Sequence, residues 1–384
     1  MSRRVFILGS TGSIGRNTVE VIEHLRLRDG EGSWPVVGLS AGSNAELLLE
    51  QAQSLKAKAV SITIGSELNF ECVYASAEEL IRVHAKKGDL VVAAIVGFAG
   101  IASVLQAIEC GCDIALANKE TLVAAGELVM DAVQKSGVRL VPIDSEHSAV
   151  FQALSNRPNN EIAKVTLTAS GGSLRNMPLE ELPDATVEQV LNHPTWTMGA
   201  KVTVDSASLM NKALELIEAH WLFGVSEDRL DAIIHPQSVV HGLVEFIDGS
   251  VIAQLSPPDM KLPIQYALTY PSRVLGCCER LDWSCNPMLQ FETIDYVRYP
   301  AIQLAYEVIR RGGIAGALFN AANEVVVHSF LEQTLPFGSM LPIVEEVLGT
   351  ITHSDHVTFD SVVKADKEAR ELADELVASY NVKS

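Results

Sequence analysis

Two rhythms of apolar and polar positions run along this chain. In the first 143 positions short apolar runs recur at Val5-Phe-Ile-Leu8, Val36-Val-Gly-Leu39, Ala59-Val-Ser-Ile62, Leu90 to Ile95, Asp113-Ile-Ala-Leu116 and Val138 to Pro142. Between them apolar residues return at helical spacing, as at Val19, Val21, Ile22 and Leu25, and again from Ala45 to Leu55. Strands apolar on both faces, alternating with helices, predict a parallel sheet covered on each side. Residues 1–143 therefore read as one doubly wound α/β domain.

From Asp144 the texture changes. Strands are expected at Lys164-Val-Thr-Leu-Thr168, Ala232-Ile-Ile234 and Ser250 to Leu255, with a helix from Asp205 to Trp221. This mixed α+β stretch occupies 144–269. Residues 270–295, with three Cys, two Pro and a Trp, read as a linker. Beyond Tyr299-Pro300 the rhythm is helical to the end, at Ile302–Arg310, Ala315–Leu331, Leu341–Leu348 and Ser361–Ser379, so 296–384 is a helical region.

Charge changes this picture only in one place. The 384 residues carry 29 Lys+Arg against 48 Asp+Glu, a formal net charge of -19. That excludes non-specific binding to nucleic acid or to anionic membranes, which needs basic surface. It also speaks against an anionic substrate, until the charge is placed. Residues 144–269 hold seven basic and sixteen acidic side chains, so the excess is local. A phosphate met by helix amides and hydroxyls remains compatible with it. The six Cys contain no C-x-x-C pair and are too sparse for a disulfide framework, which indicates buried thiols in a reducing compartment. The apolar stretch Leu90 to Leu105 is too short for a span of ~20 residues, and Met1–Arg4 runs straight into a strand without a leader-type core. A cytoplasmic protein without membrane partners is expected.

Chemistry concentrates in six segments. Gly9-Ser-Thr-Gly12-Ser-Ile-Gly15 lies between a strand and a helix, where glycines let a pyrophosphate approach helix amides. The second strand ends in Ser40-Ala-Gly42-Ser43-Asn44 with no carboxylate to repel a 2′-phosphate, so NADPH is favoured over NADH. Ala117-Asn118-Lys119-Glu120 follows another strand end, where a crevice residue and a surface lysine are equally expected. Asp144-Ser145-Glu146 follows Leu140 to Ile143; on a strand its two carboxylates would share a face and suit Mg2+ or Mn2+, against the alternative of a solvated acidic turn. In the helix from Asp205, Leu209, Ala213, Leu216 and Ile217 form the apolar stripe, with Ser208, Asn211, Lys212 and Glu215 on an adjacent face. That face is either an ordinary salt bridge or a phosphate and metal edge. Before it, His193-Pro-Thr-Trp196-Thr-Met198-Gly199 reads as a lid over a ligand.

Together with Ala-Ser-Gly-Gly at 169–172 and Asn320-Ala-Ala-Asn-Glu324, these motifs resemble the 1-deoxy-D-xylulose 5-phosphate reductoisomerase family, in family order over essentially the whole chain. The resemblance implies an N-terminal Rossmann-like NADPH domain, a central α+β catalytic domain with a flexible flap at 190–200, and a C-terminal four-helix bundle, assembled as a homodimer. It implies a sugar phosphate substrate, rearranged and then reduced by NADPH with a divalent cation. Asp144, Glu146 and Glu215 match the metal ligands, and with Lys119 they are the implied catalytic set. Ser145, Lys119 and Lys212 match contacts to the reacting portion of the substrate. Ser170, His193, Ser206 and Asn211 match the phosphate end, and Trp196 and Met198 the flap. Thr11, Gly12, Ser13, Ile14, Gly42, Ser43, Asn44, Asn118, Glu120 and Gly199 match the NADPH contacts. A semialdehyde dehydrogenase would need a nucleophilic Cys, and none falls in a motif; a mere dinucleotide sensor would not need the three carboxylates.

Overall fold

A computed structural model gives the structure of the chain and describes residues 3–64, 68–155, 157, 159–196, 198–285, 288–351 and 357–381. The elements run β1 (Val5–Leu8), α1 (Ser13–Asp29), β2 (Val36–Ala41), α2 (Ala45–Leu55), β3 (Ala59–Ile62), β4 (Val73–Tyr74), α3 (Ala77–His84) and β5 (Leu90–Ala93). They continue with α4 (Ile101–Glu109), β6 (Asp113–Leu116), α5 (Glu120–Ser136), β7 (Leu140–Pro142), α6 (Ser145–Leu154), β8 (Ile162–Ala169), α7 (Val187–Leu191), α8 (Ala200–Ala207) and α9 (Met210–Phe223). The rest are β9 (Leu230–Ile234), β10 (Val240–Phe246), β11 (Val251–Leu255), α10 (Lys261–Thr269), β12 (Glu292–Thr293), α11 (Ala301–Arg311), α12 (Ala315–Leu331), α13 (Phe337–Thr350) and α14 (Phe359–Asn381).

The chain forms two compact units. The first holds the chain to Thr121, Val129–Phe151 and Asp259–Arg280; the second holds Leu122–Leu128, Gln152–Pro258 and the chain from Leu281.

In the first unit a seven-stranded sheet has the order β4-β3-β2-β1-β5-β6-β7, with every pairing parallel. All four residues of β1 are buried, as expected for a central strand covered on both faces. The order reverses at β1, between β2 and β5, and the crevice at such a switch point is where open α/β sheets bind ligands. Ile22 and Leu25 of α1 pack with Val5 and Ile7 of β1 and Leu39 of β2.

In the second unit a five-stranded sheet has the order β11-β10-β8-β9-β12, in which β8 and β9 are parallel and the other pairs antiparallel. Helix α9 packs on β8 and β9. The last four helices, α11 to α14, are built around α12, which is buried on nearly every side.

Four expectations need correction. The stretch 259–280 belongs with the N-terminal unit, because Ile264, Ala267 and Leu268 of α10 complete its apolar core. The linker ends in a strand, since β12 pairs with β9. Strand β10 forms where the pattern predicts none, because His241, Gly242 and Glu245 interrupt its apolar run. The helix over 205–221 is two helices, broken where Leu209 takes a φ of 55°; α9 therefore starts at Met210, with Leu209 as its N-cap.

Candidate active site

The first unit supplies the glycine turn between β1 and α1. Gly9 leaves β1 at a φ of 83°, and a Cβ there would lie 2.4 Å from the Ala94 carbonyl oxygen. A Cβ on Gly15 would lie 2.3 Å from the Gly9 oxygen, whereas at Gly12 the nearest atom is 3.4 Å away. Two glycines are thus required by packing, and the third leaves its face open. The Gly9 amide donates to the Ser40 carbonyl and to Ser40 Oγ, each at 3.0 Å, which fixes the loop to the end of β2. Helix α1 has Gly12 as its N-cap, with no side-chain cap and no acid in its first turn, so its amides are available to an anion. Ser10 Oγ is buried without a partner among the described residues.

Thr11, Gly12, Ser13 and Ile14 line this turn, exposed or half-buried. Gly42, Ser43 and Asn44 are exposed beyond β2, and Asn44 Oδ1 accepts from the Leu47 amide at 3.1 Å to cap α2. Asn118 is buried and its side chain is committed: Nδ2 donates to the carbonyls of Ile95 and Gly97, and Oδ1 accepts from the amide and hydroxyl of Thr121, both at 2.7 Å. Glu120 opens α5 and is buried.

A charged cluster lies at the ends of β6 and β7. Lys119 Nζ is 2.7 Å from Asp144 Oδ2, and His147 Nδ1 is 3.9 Å from the same oxygen. Asp144 and Glu146 are not on a strand. Asp144 precedes α6, Ser145 and Glu146 lie in its first turn, and Ser145 Oγ donates to Glu146 at 2.5 Å. Burial works against a charge on Asp144, but the Lys119 ammonium, which also donates to the carboxylate, and His147 outweigh it and hold the carboxyl well below its ordinary range. The carboxylate oxygens of Asp144 and Glu146 approach within 4.8 Å of each other, a closeness of like groups that suits a shared cation.

The second unit carries the other residues that the sequence singles out. Lys212 and Glu215 are 3% and 1% exposed, so their ion pair is buried rather than lying on a solvated helix face. Asn211 donates to the other Glu215 oxygen. Ser170 follows β8, and its Oγ lies 3.0 Å from His193 Nε2 and accepts from the Gly172 amide at 3.2 Å. His193 Nδ1 accepts from the amides of Thr195 and Trp196. The Trp196 ring stands edge-on to His241 of β10, with centroids 6.3 Å apart. Met198 is half-buried, and Gly199 is the N-cap of α8; Thr197, within the proposed flap, lies outside the described residues. Ser206 is buried in α8, and a Cβ on Gly172 would come 2.4 Å from its carbonyl oxygen. The glycine at 172 therefore lets the Ser170 loop lie directly against the Ser206 turn.

Some participants were not singled out from the sequence. Tyr299 donates its hydroxyl to the Gly171 carbonyl at 3.0 Å, and Arg298 donates to the carbonyls of Leu174 and Met177, bracing the loop from below. Burial pushes the Tyr299 phenol up to about 12, so it stays a donor. A cavity of about 320 Å³ beside Ser170 is lined by Ser173, Arg175, Asn176, Asn192 and Thr195. Arg175, the one cation within six residues of the glycine pair on its C-terminal side, was the available signal.

Three family models match the chain in order. The model described as 1-deoxy-D-xylulose 5-phosphate reductoisomerase matches residues 5–126, that of its C-terminal domain residues 140–223, and a further DXP reductoisomerase C-terminal domain residues 255–372. The chain is 44% identical to the 1-deoxy-D-xylulose 5-phosphate reductoisomerase of Chlorobium phaeovibrioides over 98% of this chain and 100% of the relative. It is 45% identical to that of Pelotomaculum thermopropionicum over 96% and 97%. Among solved structures it is similar to the Zymomonas mobilis enzyme in complex with NADPH, at 37% identity, a TM-score of 0.89 and coverage of 98% and 99%. A DOX-P reductoisomerase in complex with NADPH, fosmidomycin and magnesium matches at 34% identity and a TM-score of 0.90, covering 98% of each chain.

Proposed function

This chain belongs to the 1-deoxy-D-xylulose 5-phosphate reductoisomerase family, and from that premise we propose how its own side chains divide the work. It is an NADPH- and divalent-metal-dependent oxidoreductase that rearranges 1-deoxy-D-xylulose 5-phosphate and reduces the product to 2-C-methyl-D-erythritol 4-phosphate, a step towards isoprenoid precursors. The observation that carries this reading is similarity along the entire chain, 44% identity over 98% of it, rather than in one motif.

NADPH is assigned to residues 1–143 together with 259–280, the chemistry to 144–258 with its flap at 190–200, and structural support to 296–384. The contacts proposed for NADPH are Thr11 to Ile14, Gly42 to Asn44, Glu120, Gly199 and the backbone at Asn118. The uncapped α1 N-terminus and the unpartnered Ser10 hydroxyl fit a pyrophosphate. When bound, NADPH supplies the hydride that reduces the aldehyde.

Asp144, Glu146 and Glu215 are the proposed metal ligands, an all-oxygen donor set suited to Mg2+ or Mn2+. A cation held by them supplies a Lewis acid for the adjacent carbonyl and hydroxyl oxygens of the substrate. Lys119 keeps Asp144 ionised and so keeps the ligand set anionic. Ser145 and Lys212 are assigned to the reacting end of the sugar.

At the phosphate end Ser170, His193, Ser206 and Asn211 are the proposed contacts. Ser170 Oγ accepts two hydrogen bonds from the protein, which leaves its own O–H to donate to a phosphate oxygen. Trp196 and Met198, on the loop that His193 organises, would exclude water over the bound sugar. A cytoplasmic homodimer is part of the proposal. All six cysteines are free, which supports a reducing compartment, and no helix among the described residues is long and apolar enough to cross a membrane.

The test is loss of NADPH absorbance on adding 1-deoxy-D-xylulose 5-phosphate with Mg2+ or Mn2+. Turnover should require the cation and be abolished in Glu215→Gln. Full activity in that variant would overturn the assignment of Glu215.

A further inference from the structure

Helix α8 has only eight residues, yet it carries Ser206 and follows directly on the flap. Two turns of helix do not hold themselves in water, so the orientation of α8 must come from tertiary contacts. Its last full turn contains Asp205, whose side chain is 1% exposed. One carboxylate oxygen, Oδ1, accepts from Asn323 Nδ2 of α12 at 2.9 Å. The other lies 3.0 Å from Lys201 Nζ in the first turn of the same helix. Asn323 is fully buried and belongs to the Asn320-Ala-Ala-Asn-Glu324 motif, to which the reading above gives no role. Glu324, the next residue, accepts from Arg370 of α14 at 2.6 Å, so α12 is itself fastened to the bundle.

Cohesion alone would be served by an apolar pair. A buried carboxylate is costly to desolvate, but its hydrogen bond fixes register as well as distance, which an apolar contact does not. At this point of the chain the register in question is that of Ser206, one residue on, and of the Leu209 break that starts α9.

We propose that Asp205 and Asn323 are positioning residues for the substrate's phosphate: their buried pair locks α8 to α12 and thereby aims Ser206. The inference rests on the reading that Ser206 meets the phosphate. Neither residue touches substrate, and both act through the backbone of α8.

The experiment uses the full-length enzyme with NADPH and Mg2+, and measures KM and kcat for 1-deoxy-D-xylulose 5-phosphate, KM for NADPH, and the melting temperature. Ser206→Ala tests the underlying reading and should raise the sugar phosphate KM at least tenfold. Asn323→Asp sets two carboxylates face to face and should raise that KM at least tenfold, with kcat within about threefold and NADPH KM unchanged. The double variant Asp205→Asn with Asn323→Asp restores one amide facing one carboxylate and should bring KM back to within about threefold of the wild type. If Asn323→Asp does not fold, recovery of both melting temperature and KM in the double variant still supports the proposal. A folded double variant with no recovery of KM overturns it, as does an unchanged KM in Asn323→Asp when Ser206→Ala is impaired. An unchanged KM in Ser206→Ala would instead remove the reading beneath it, and the inference with it.

Discussion

Ser170 and His193 are joined by a 3.0 Å hydrogen bond whose direction is set from behind the ring. His193 Nδ1 accepts two backbone amides, from Thr195 at 3.1 Å and Trp196 at 2.9 Å, so the proton of the neutral imidazole sits on Nε2 and is donated to Ser170 Oγ. The neutral ring therefore organises the turn at 193–196 and the Ser170 loop at once.

This arrangement makes the flap sensitive to acid. Burial lowers the His193 pKa below its usual value of about 6.5. As pH falls below about 6.5 the unfolded chain takes up this proton first, so the stability tied to the neutral ring is intact above that value. It is lost as pH drops through the lower folded value, where Nδ1 gains a proton and can no longer accept the two amides. The sugar phosphate KM should rise on acidification, together with a change in Trp196 fluorescence. His193→Gln should flatten the fluorescence change; an identical acid profile in that variant would remove His193 from the account.

The three glycines of the first loop should separate by experiment. Gly15→Ala drives a Cβ to 2.3 Å from the Gly9 carbonyl, so the loop must shift and the protein should lose roughly 1–3 kcal/mol. Gly12→Ala meets no atom closer than 3.4 Å, and Gly12 has a φ of -73° that any residue adopts. Its melting temperature should stay near wild type while NADPH KM rises at least tenfold. Equal NADPH affinity in Gly12→Ala would show that the cofactor does not approach that face.

Removing the cation beside Asp144 tests the charged cluster. Lys119→Met deletes the 2.7 Å partner and should move the Asp144 carboxyl back up towards its ordinary range. We expect kcat to fall at least a hundredfold, and the titration of Asp144 to become visible by NMR at a higher pH than in the wild type. Glu146→Gln should separately weaken Mn2+ binding at least tenfold by calorimetry, and unaltered binding would exclude Glu146 as a ligand.

A packing prediction lies away from the chemistry. A Cβ on Gly126 would fall 2.2 Å from the Trp221 indole, and Ala125 beside it departs from helical geometry with a φ of -135°. Gly126→Ala should destabilise by about 1–3 kcal/mol, read as a lowered melting temperature. Pairing it with Trp221→Phe, which removes ring volume, should recover part of the loss.

Much of the fold could be read from residue order because its signals are local. Val5-Phe-Ile-Leu8 followed by glycines and a helical rhythm names a strand, a turn and a helix without reference to anything distant. The limits of α2 and α12 coincide with their periodic stretches for the same reason. Strand β10 escaped because a strand read from one sequence is judged by its own residues, while its His, Gly and Glu are accommodated by neighbours on either side.

The candidate site divides along the same line. By itself the sequence determined the residue types: carboxylates at positions 144, 146 and 215, a glycine turn ahead of α1, and no acid in the loop after β2 to oppose a 2′-phosphate. Only the tertiary structure decided that Asp144 and Glu146 begin a helix rather than share a strand, and that Lys212 and Glu215 are buried. It alone decided that Leu209 breaks one expected helix into two, and that Asn323 reaches across more than a hundred residues to hold Asp205. The physical reason is common to these cases. Propensity and periodicity are set within a few residues, whereas burial, left-handed breaks and hydrogen bonds between distant helices are set by which surfaces the folded chain brings into contact.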